Sequence, residues 1–170
     1  LASDNIAKIV AEDDLLYFAT DNGIGVFQRS TKQWQWIYPH AKNQAYKATQ
    51  IARDVLVTDS GDIFAGTYNG LYRIPAEYKT IQAISVETEG FPNAALDIAT
   101  VVVNGQQRLA IAEPDQISLW DMGAGQLIPY QQVKYPAGFE PSHMMADSSH
   151  LYFSSLTNGS LQYTPATGQF

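Results

Sequence analysis

The sequence predicts an all-β chain built from repeated four-stranded units, and three observations carry that prediction. A short motif recurs at near-constant spacing. An Asn-Gly pair precedes the same apolar strand in three of its four copies. No segment sustains the 3.6-residue apolar period of an amphipathic helix.

The motif is Tyr17-Phe18-Ala19-Thr20-Asp21-Asn22-Gly23-Ile24, which recurs as Ile63-Phe64-Ala65-Gly66-Thr67-Tyr68-Asn69-Gly70-Leu71. A weaker copy is Leu151-Tyr152-Phe153-Ser154-Ser155-Leu156-Thr157-Asn158-Gly159, and a degenerate one is Leu109-Ala110-Ile111-Ala112-Glu113-Pro114-Asp115-Gln116-Ile117. Gly23, Gly70, Gln116 and Gly159 stand 47, 46 and 43 residues apart. A period in the forties with strand-like content points to β-propeller blades. A β-sandwich also spaces its hairpins evenly, but it has no reason to repeat one motif at a fixed register.

Each repeat parses into strands a to d. The first gives Ile6–Glu12, Leu15–Thr20, Ile24–Arg29 and Gln33–Tyr38. The second gives Gln50–Thr58, Asp62–Thr67, Leu71–Ile74 and Thr80–Glu87. The third gives Leu96–Val103, Arg108–Ala112, Gln116–Asp121 and Gln126–Gln132. The fourth, incomplete, gives His143–Ala146, Leu151–Ser155 and Ser160–Thr164. The blades therefore span about 1–47, 48–93, 94–139 and 140–170. Asn-Gly tolerates φ > 0 at both positions, so the b–c turns are expected to be type I′ hairpins. The aromatics along these strands are expected to pack blade on blade, since a sheet with two apolar faces cannot hide both alone. The last repeat stops where an outer strand should begin, and Leu1–Asn5 is too short to supply one. The expectation is a partial ring belonging to a larger propeller, self-associating through its open end blades.

Composition narrows the function. The chain has 170 residues, 45% hydrophobic, with 10 basic against 17 acidic side chains and a net charge of −7. Nothing basic tracks a phosphate backbone, so nucleic acid is not an expected partner. No apolar run is long enough to cross a bilayer, so no membrane insertion is expected within this chain. Leu1 is followed at once by Ser3, Asp4 and Asn5, which is not a signal peptide. The absence of cysteine removes disulfides, thiolate metal sites and Cys nucleophiles together.

Catalytic and cofactor motifs are weak. His143, Met144, Met145 and His150 suggest copper, but alternate strand residues face opposite ways. Asp59-x-x-Asp62 is too few oxygens for calcium. Gly23-Ile24-Gly25 and Gly123-Ala124-Gly125 open no helix after a strand, so they are turn glycines. The starts of the inner strands, at Ile6, Thr49-Gln50, Leu96 and Ser142-His143, look bland. No cofactor, no metal and no enzyme activity is expected.

The repeats resemble the two-component regulator propeller repeat, through the lead-in Gly90-Phe91-Pro92-Asn93-Ala94-Ala95-Leu96 and the core from Asp59 to Arg73. Weaker lead-ins are Leu1–Ile6 and Gly138–Ser142. Ile117-Ser118-Leu119-Trp120-Asp121 looks like the end of a WD40 repeat, but its usual Gly-His partner is missing. The resemblance implies a periplasmic or extracytoplasmic sensor region of a signalling protein, with carbohydrate a frequent ligand and dimers the usual signalling form. A propeller lyase or hydrolase, or a passive interaction scaffold, is the alternative. In propellers the b–c turns and d–a connections open on one side. That side should bind a small polar ligand or glycan through Asp21, Asn22, Tyr68, Asn69, Glu113, Asp115, Thr157 and Asn158, with His40, Asn43 and Tyr46 from the first d–a connection.

Overall fold

The computed structural model describes residues 4–37, 51–68, 70–76, 94–123 and 126–170. Its strands are β1 (Ile6–Glu12), β2 (Leu15–Thr20), β3 (Gly23–Gln28), β4 (Gln33–Ile37), β5 (Ala52–Val57), β6 (Ile63–Thr67) and β7 (Gly70–Ile74). They continue as β8 (Asp97–Val103), β9 (Gln106–Ala112), β10 (Gln116–Gly123), β11 (Gln126–Lys134), β12 (His143–Ala146), β13 (Leu151–Ser155) and β14 (Gly159–Tyr163). Neighbours in sequence pair antiparallel, giving the sheets β1–β4, β5–β7, β8–β11 and β12–β14. These four sheets are propeller blades, in the order the repeats predict. The expected outer strand Thr80–Glu87 of the second blade lies outside the described residues.

The chain divides into two compact halves, 1–95 and 96–170. Within the first half, Tyr17, Ala19, Ile24, Val26 and Ile37 of the first sheet form one core with Ala52, Val55, Ile63, Ala65, Tyr72 and Ile74 of the second. Within the second half, Val101, Val103, Ala110, Ala112, Ile117 and Leu119 meet Met144, Leu151, Phe153 and Tyr163, with Tyr135 and Phe139 from the connection between the sheets. The period-2 alternation of each strand puts these side chains on one face. Each Val, Leu, Ile, Phe or Met side chain so buried contributes about 1.5–3 kcal/mol.

The recurring Phe-Ala-(Gly)-Thr motif has a packing reason. Ala19 on β2 and Ala65 on β6 are fully buried, where a larger side chain would push the sheets apart. A Cβ at Gly66 would lie 2.9 Å from the Ala95 carbonyl oxygen. Glycine therefore lets the incoming connection approach closely enough for Ala95 N–H to bond the Thr67 carbonyl at 2.9 Å.

The opposite face of the first sheet is apolar and partly open. Trp34 contacts Phe18, Phe27 and Trp36 at centroid distances of 5.2, 4.8 and 5.9 Å. The Trp36 ring covers Gly25, where a Cβ would meet it at 3.1 Å. Trp34 is 42% exposed and Ile9 is 55% exposed.

The hairpin turns depart from expectation. Gly23, Gly70 and Gly159 have φ of 95°, 123° and 77°, but Asn22 and Asn158 are not in the positive-φ region. The glycine alone carries the left-handed conformation, so the turns around Asn22 and Asn158 are not type I′. Both residues of a two-residue hairpin loop are positive at Asn104-Gly105, with φ of 53° and 77°, between the paired Val103 and Gln106. That is where the type I′ arrangement occurs.

The inner strands are clasped by carboxylates within each half. Asp54 on β5 receives the Lys8 ammonium from β1 at 2.6 Å and is itself 1% exposed. Asp97 on β8 accepts the Met144 N–H of β12 at 2.8 Å and its neighbour Ile98 N–H at 3.1 Å. Lys8, Asp54, Asp97 and His143 pair with Ala19, Gly66, Ala112 and Ser154, the same register position in every blade. The inner strands are therefore not bland. Each carries an ionisable residue at its start, inside the stretch where the sequence shows mainly apolar neighbours.

Asp97→Ala should lower the unfolding free energy by about 1.5–3 kcal/mol, the range for hydrogen bonds to a charged group. Urea denaturation followed by circular dichroism measures it. An unchanged midpoint would show that the clasp does not hold β8 to β12.

Candidate functional site

The b–c turns are organised by the residue that opens them. Thr20 Oγ1 donates to the Gly23 carbonyl at 2.8 Å, and Thr67 Oγ1 donates to the Gly70 carbonyl at 2.9 Å. Thr20 Oγ1 also accepts the Asn22 N–H at 3.1 Å. Ser155 plays a related part, its Oγ accepting N–H groups of Thr157 and Asn158 at 3.4 and 3.3 Å. The motif Thr-x-Asn-Gly is thus a self-bonded turn, which leaves Asp21 and Tyr68 exposed.

The third repeat has Glu113 in place of the threonine. Its carboxylate accepts the Ser118 hydroxyl and, at 3.0 Å, the Gln116 side-chain amide. Glu113 is 1% exposed, so it faces the blade interior rather than a ligand. Burial pushes its carboxyl above the ordinary glutamate value, against the two hydrogen bonds, which lower it. Tyr135 lies close by. Its hydroxyl is enclosed without a hydrogen-bond partner among the described residues, and burial, then the charges of Glu113, Asp115 and Asp97, push it up.

Within the second half the structure joins turns to connection. The Asp115 carbonyl accepts the Tyr135 N–H at 3.2 Å, and Asn158 Nδ2 donates to the Gly138 carbonyl. The b–c turns of the third and fourth blades thus both touch the connection between them. Asp115 and Asn158 are exposed there, as is Thr157. Within the first half, the Asp21 N–H reaches the Asn5 carbonyl at 3.4 Å, so that turn lies beside the start of β1. Asp21 is exposed and Asn22 half-buried. Tyr68 is 46% exposed and receives a hydrogen bond from Arg53 Nη1. His40, Asn43, Tyr46 and Asn69 lie outside the described residues.

The metal and triad lookalikes resolve differently. Met144 is buried in the core, whereas Met145 is 67% exposed and the His143 side chain 80% exposed, so the His-Met-Met run does not converge. Asp62 is committed to the Arg73 guanidinium and to the Ala76 N–H at 3.2 Å, which leaves little of it for calcium. Among the described residues no three His, Asp or Glu side chains gather as metal ligands. Asp147, Ser149 and His150 imitate a catalytic relay. However, Ser149 Oγ at 2.9 Å and Asp147 Oδ1 at 3.3 Å both approach the same ring atom, His150 Nδ1. A relay needs the base to use its two nitrogens separately. Asp147 instead closes a turn. The Ser149 N–H first, then the Tyr152 hydroxyl and the His150 N–H, hold its carboxyl well below the usual range. Two grooves of about 400 Å³ each lie elsewhere, one lined by Leu15, Gln28, Trp34 and Gln35, the other by Tyr130, Gln131 and Thr167.

Sequence reasoning missed Arg53, Lys8, Asp54 and Asp97. The Arg53-Asp54 dipeptide inside an otherwise apolar strand was the available signal.

Glu113→Gln tests the buried carboxylate. Because the folded state raises this pKa, its stabilising contribution is complete below the ordinary value of 4.5 and is lost as pH rises through the folded value. The glutamine variant should match wild type in acid and unfold at a higher temperature at neutral pH, with Gln116 turning its amide to offer oxygen. Thermal melts across that range give the answer; a gap that does not widen with pH would count against it.

No family model matches the chain. No curated protein matches it either. Solved structures do. The extracellular domain of BT4673, described as a one-component system of B. thetaiotaomicron, superposes with a TM-score of 0.68 at 16% identity, over 95% of this chain and 22% of that one. The extracellular domain of the hybrid two-component system BT3049 from the same organism gives 0.63 at 19% identity, over 94% and 20%. A gluconolactonase from Xanthomonas campestris gives 0.63 at 13% identity, over 94% and 58%. The chain thus spans about a fifth of the two B. thetaiotaomicron domains, and at these identities the likeness establishes the propeller-blade fold.

Proposed function

We propose that the chain is a ligand-binding part of an extracytoplasmic sensor propeller belonging to a signalling protein. The observation that carries this reading is the meeting of b–c turns and incoming connection around Tyr135, Gly138, Asp115 and Asn158, which presents polar groups on a rigid scaffold. The shared fold with extracellular domains of one- and two-component systems supports the setting. The ligand is a small polar molecule, with glycans the class the repeat resemblance implies. Candidate contacts are Asp21, Asn22 and Tyr68 on turns of the first half and, separately, Asp115, Thr157 and Asn158 on turns of the second; His40, Asn43, Tyr46 and Asn69, which lie outside the described residues, are candidates from the sequence alone. A second reading, a sugar-lactone hydrolase, is favoured by the gluconolactonase neighbour. It lacks an identified nucleophile and base among the described residues.

Thermal-shift titration with a panel of mono- and disaccharides, including a sugar lactone, tests both readings. A ligand at about 100 times its Kd stabilises by about 2.7 kcal/mol, which moves the melt by several degrees. The Tyr46→Ala/Tyr68→Ala variant should lose that shift; a shift equal to wild type would remove these tyrosines from the site. Turnover of the lactone would favour the hydrolase.

Self-association is proposed through the open face of the first sheet. Ile9, Phe18, Trp34 and Trp36 bear no charge, and the Lys32 ammonium lies 6.0 Å over the Phe27 ring, so two acidic copies can meet there without burying a carboxylate. Sedimentation velocity should show a concentration-dependent dimer that Ile9→Lys returns to monomer. A wild-type chain that stays monomeric at every concentration would overturn this.

A further inference from the structure

We propose that Arg53 and Tyr68 form a carboxylate-binding site at the b–c end of the second sheet, an inference that rests on the ligand-binding reading and names the chemistry of its ligand. The register of β5 against β6 shifts between Ala52 and Asp54, so Arg53 is the extra residue of a β-bulge. Bulges re-aim a side chain out of the ladder. Here the guanidinium is carried over the Tyr68 ring, 5.0 Å from its centroid, while Nη1 donates to the Tyr68 hydroxyl.

The arginine is short of partners in a chain that could easily supply them. Acidic side chains outnumber basic ones, 17 to 10. Arg73 pairs with Asp62, and Arg108 pairs with Asp121 at 2.9 Å. Arg53 pairs with no carboxylate among the described residues. Its sequence neighbour Asp54 is taken by Lys8 at 2.6 Å and by the Val55 N–H at 2.6 Å. Arg53 Nε is enclosed with no acceptor among the described residues. An enclosed donor left unpaired costs about 1–3 kcal/mol. A glutamine or lysine could reach the Tyr68 hydroxyl without that cost, so the fold alone gives no reason for arginine here.

The chemistry that suits this pair is specific. The guanidinium is planar and permanently charged, and the Nη2 end has no partner among the described residues. That edge matches the two oxygens of a carboxylate. Tyr68, 46% exposed, offers ring surface beside it for the apolar side of the same ligand. The shared chemistry is a carboxylate next to a compact ring, found in an acidic saccharide or in a small free carboxylic acid.

Isothermal titration calorimetry of the full chain with digalacturonate, with the same disaccharide reduced to its neutral alcohols, and with benzoate separates the outcomes. At least one carboxylate ligand should bind about tenfold or more tighter than the neutral disaccharide, as a charge-assisted hydrogen bond allows. Digalacturonate ahead of benzoate identifies a saccharide, and the reverse a free acid. Arg53→Gln should erase the preference while leaving the melting curve in place, and Arg53→Lys should keep only part of it. A neutral disaccharide that binds as tightly as the acids, or an Arg53→Gln variant that keeps the preference, overturns the carboxylate site alone. No binding by any of the three at millimolar concentration overturns the ligand-binding reading, and this site with it.

Discussion

Face-to-face stacking of narrow antiparallel sheets is the constraint on which everything else in each half depends. A narrow sheet with an apolar inward face must bury that face against another element, here a second sheet. In the first half that contact is Tyr17, Ile24 and Val26 against Val55, Ile63 and Ile74; in the second it is Val101, Ile117 and Leu119 against Leu151, Phe153 and Tyr163. The small residues of strand b follow from it. Ala19, Ala65 and Ala112 leave room for the facing sheet, and Gly66 leaves room for the backbone of Ala95.

Stacking is non-directional, so something must set how one sheet sits on the next. Carboxylates on the inner strands are suited to this. Asp97 spends one oxygen on its own strand, at Ile98, and the other on the neighbouring sheet, at Met144. Asp54 uses a single oxygen, Oδ1, both for the Val55 N–H of its own strand and for the Lys8 ammonium of the neighbouring sheet. A buried charge is tolerated when it is paired and hydrogen-bonded, and its geometry then fixes register in a way that apolar contacts do not. Glu113 is the contrasting case. It also has two partners, yet burial outweighs them and its carboxyl is pushed up.

The turns divide labour between shape and chemistry. Thr20 and Thr67 bond back to the glycine that ends the turn, so the turn backbone is set before any ligand arrives. Where the threonine is replaced by Glu113, the anchoring moves inward to Ser118 and the exposed role passes to Asp115. The same end of the second sheet carries Arg53, displaced by a bulge and held by Tyr68. A scaffold stiffened by its own side chains can present such groups without an ordering cost at binding.

Much of the fold was legible because its signals are local. Strands β1, β2, β12 and β13 fall on the residues that alternation and turn chemistry pick out, and Gly23, Gly70 and Gly159 take the positive φ that only glycine adopts freely. The candidate site was legible only in part. Asn22, Asp115 and Asn158 could be placed on turns by their motif, whereas the burial of Glu113 could not, because Ser118 faces it from the next strand. The absence of positive φ at Asn22 and Asn158 was likewise set by the way Thr20 and Ser155 bond their turns. Sequence by itself determined the repeat, the bounds of those four strands and the turn glycines, since each depends on a few adjacent residues. Tertiary structure alone decided the clasps and the Arg53–Tyr68 pair. Asp97 meets Met144 across 47 residues of chain, and a contact made at that distance leaves no mark on the spacing of either strand.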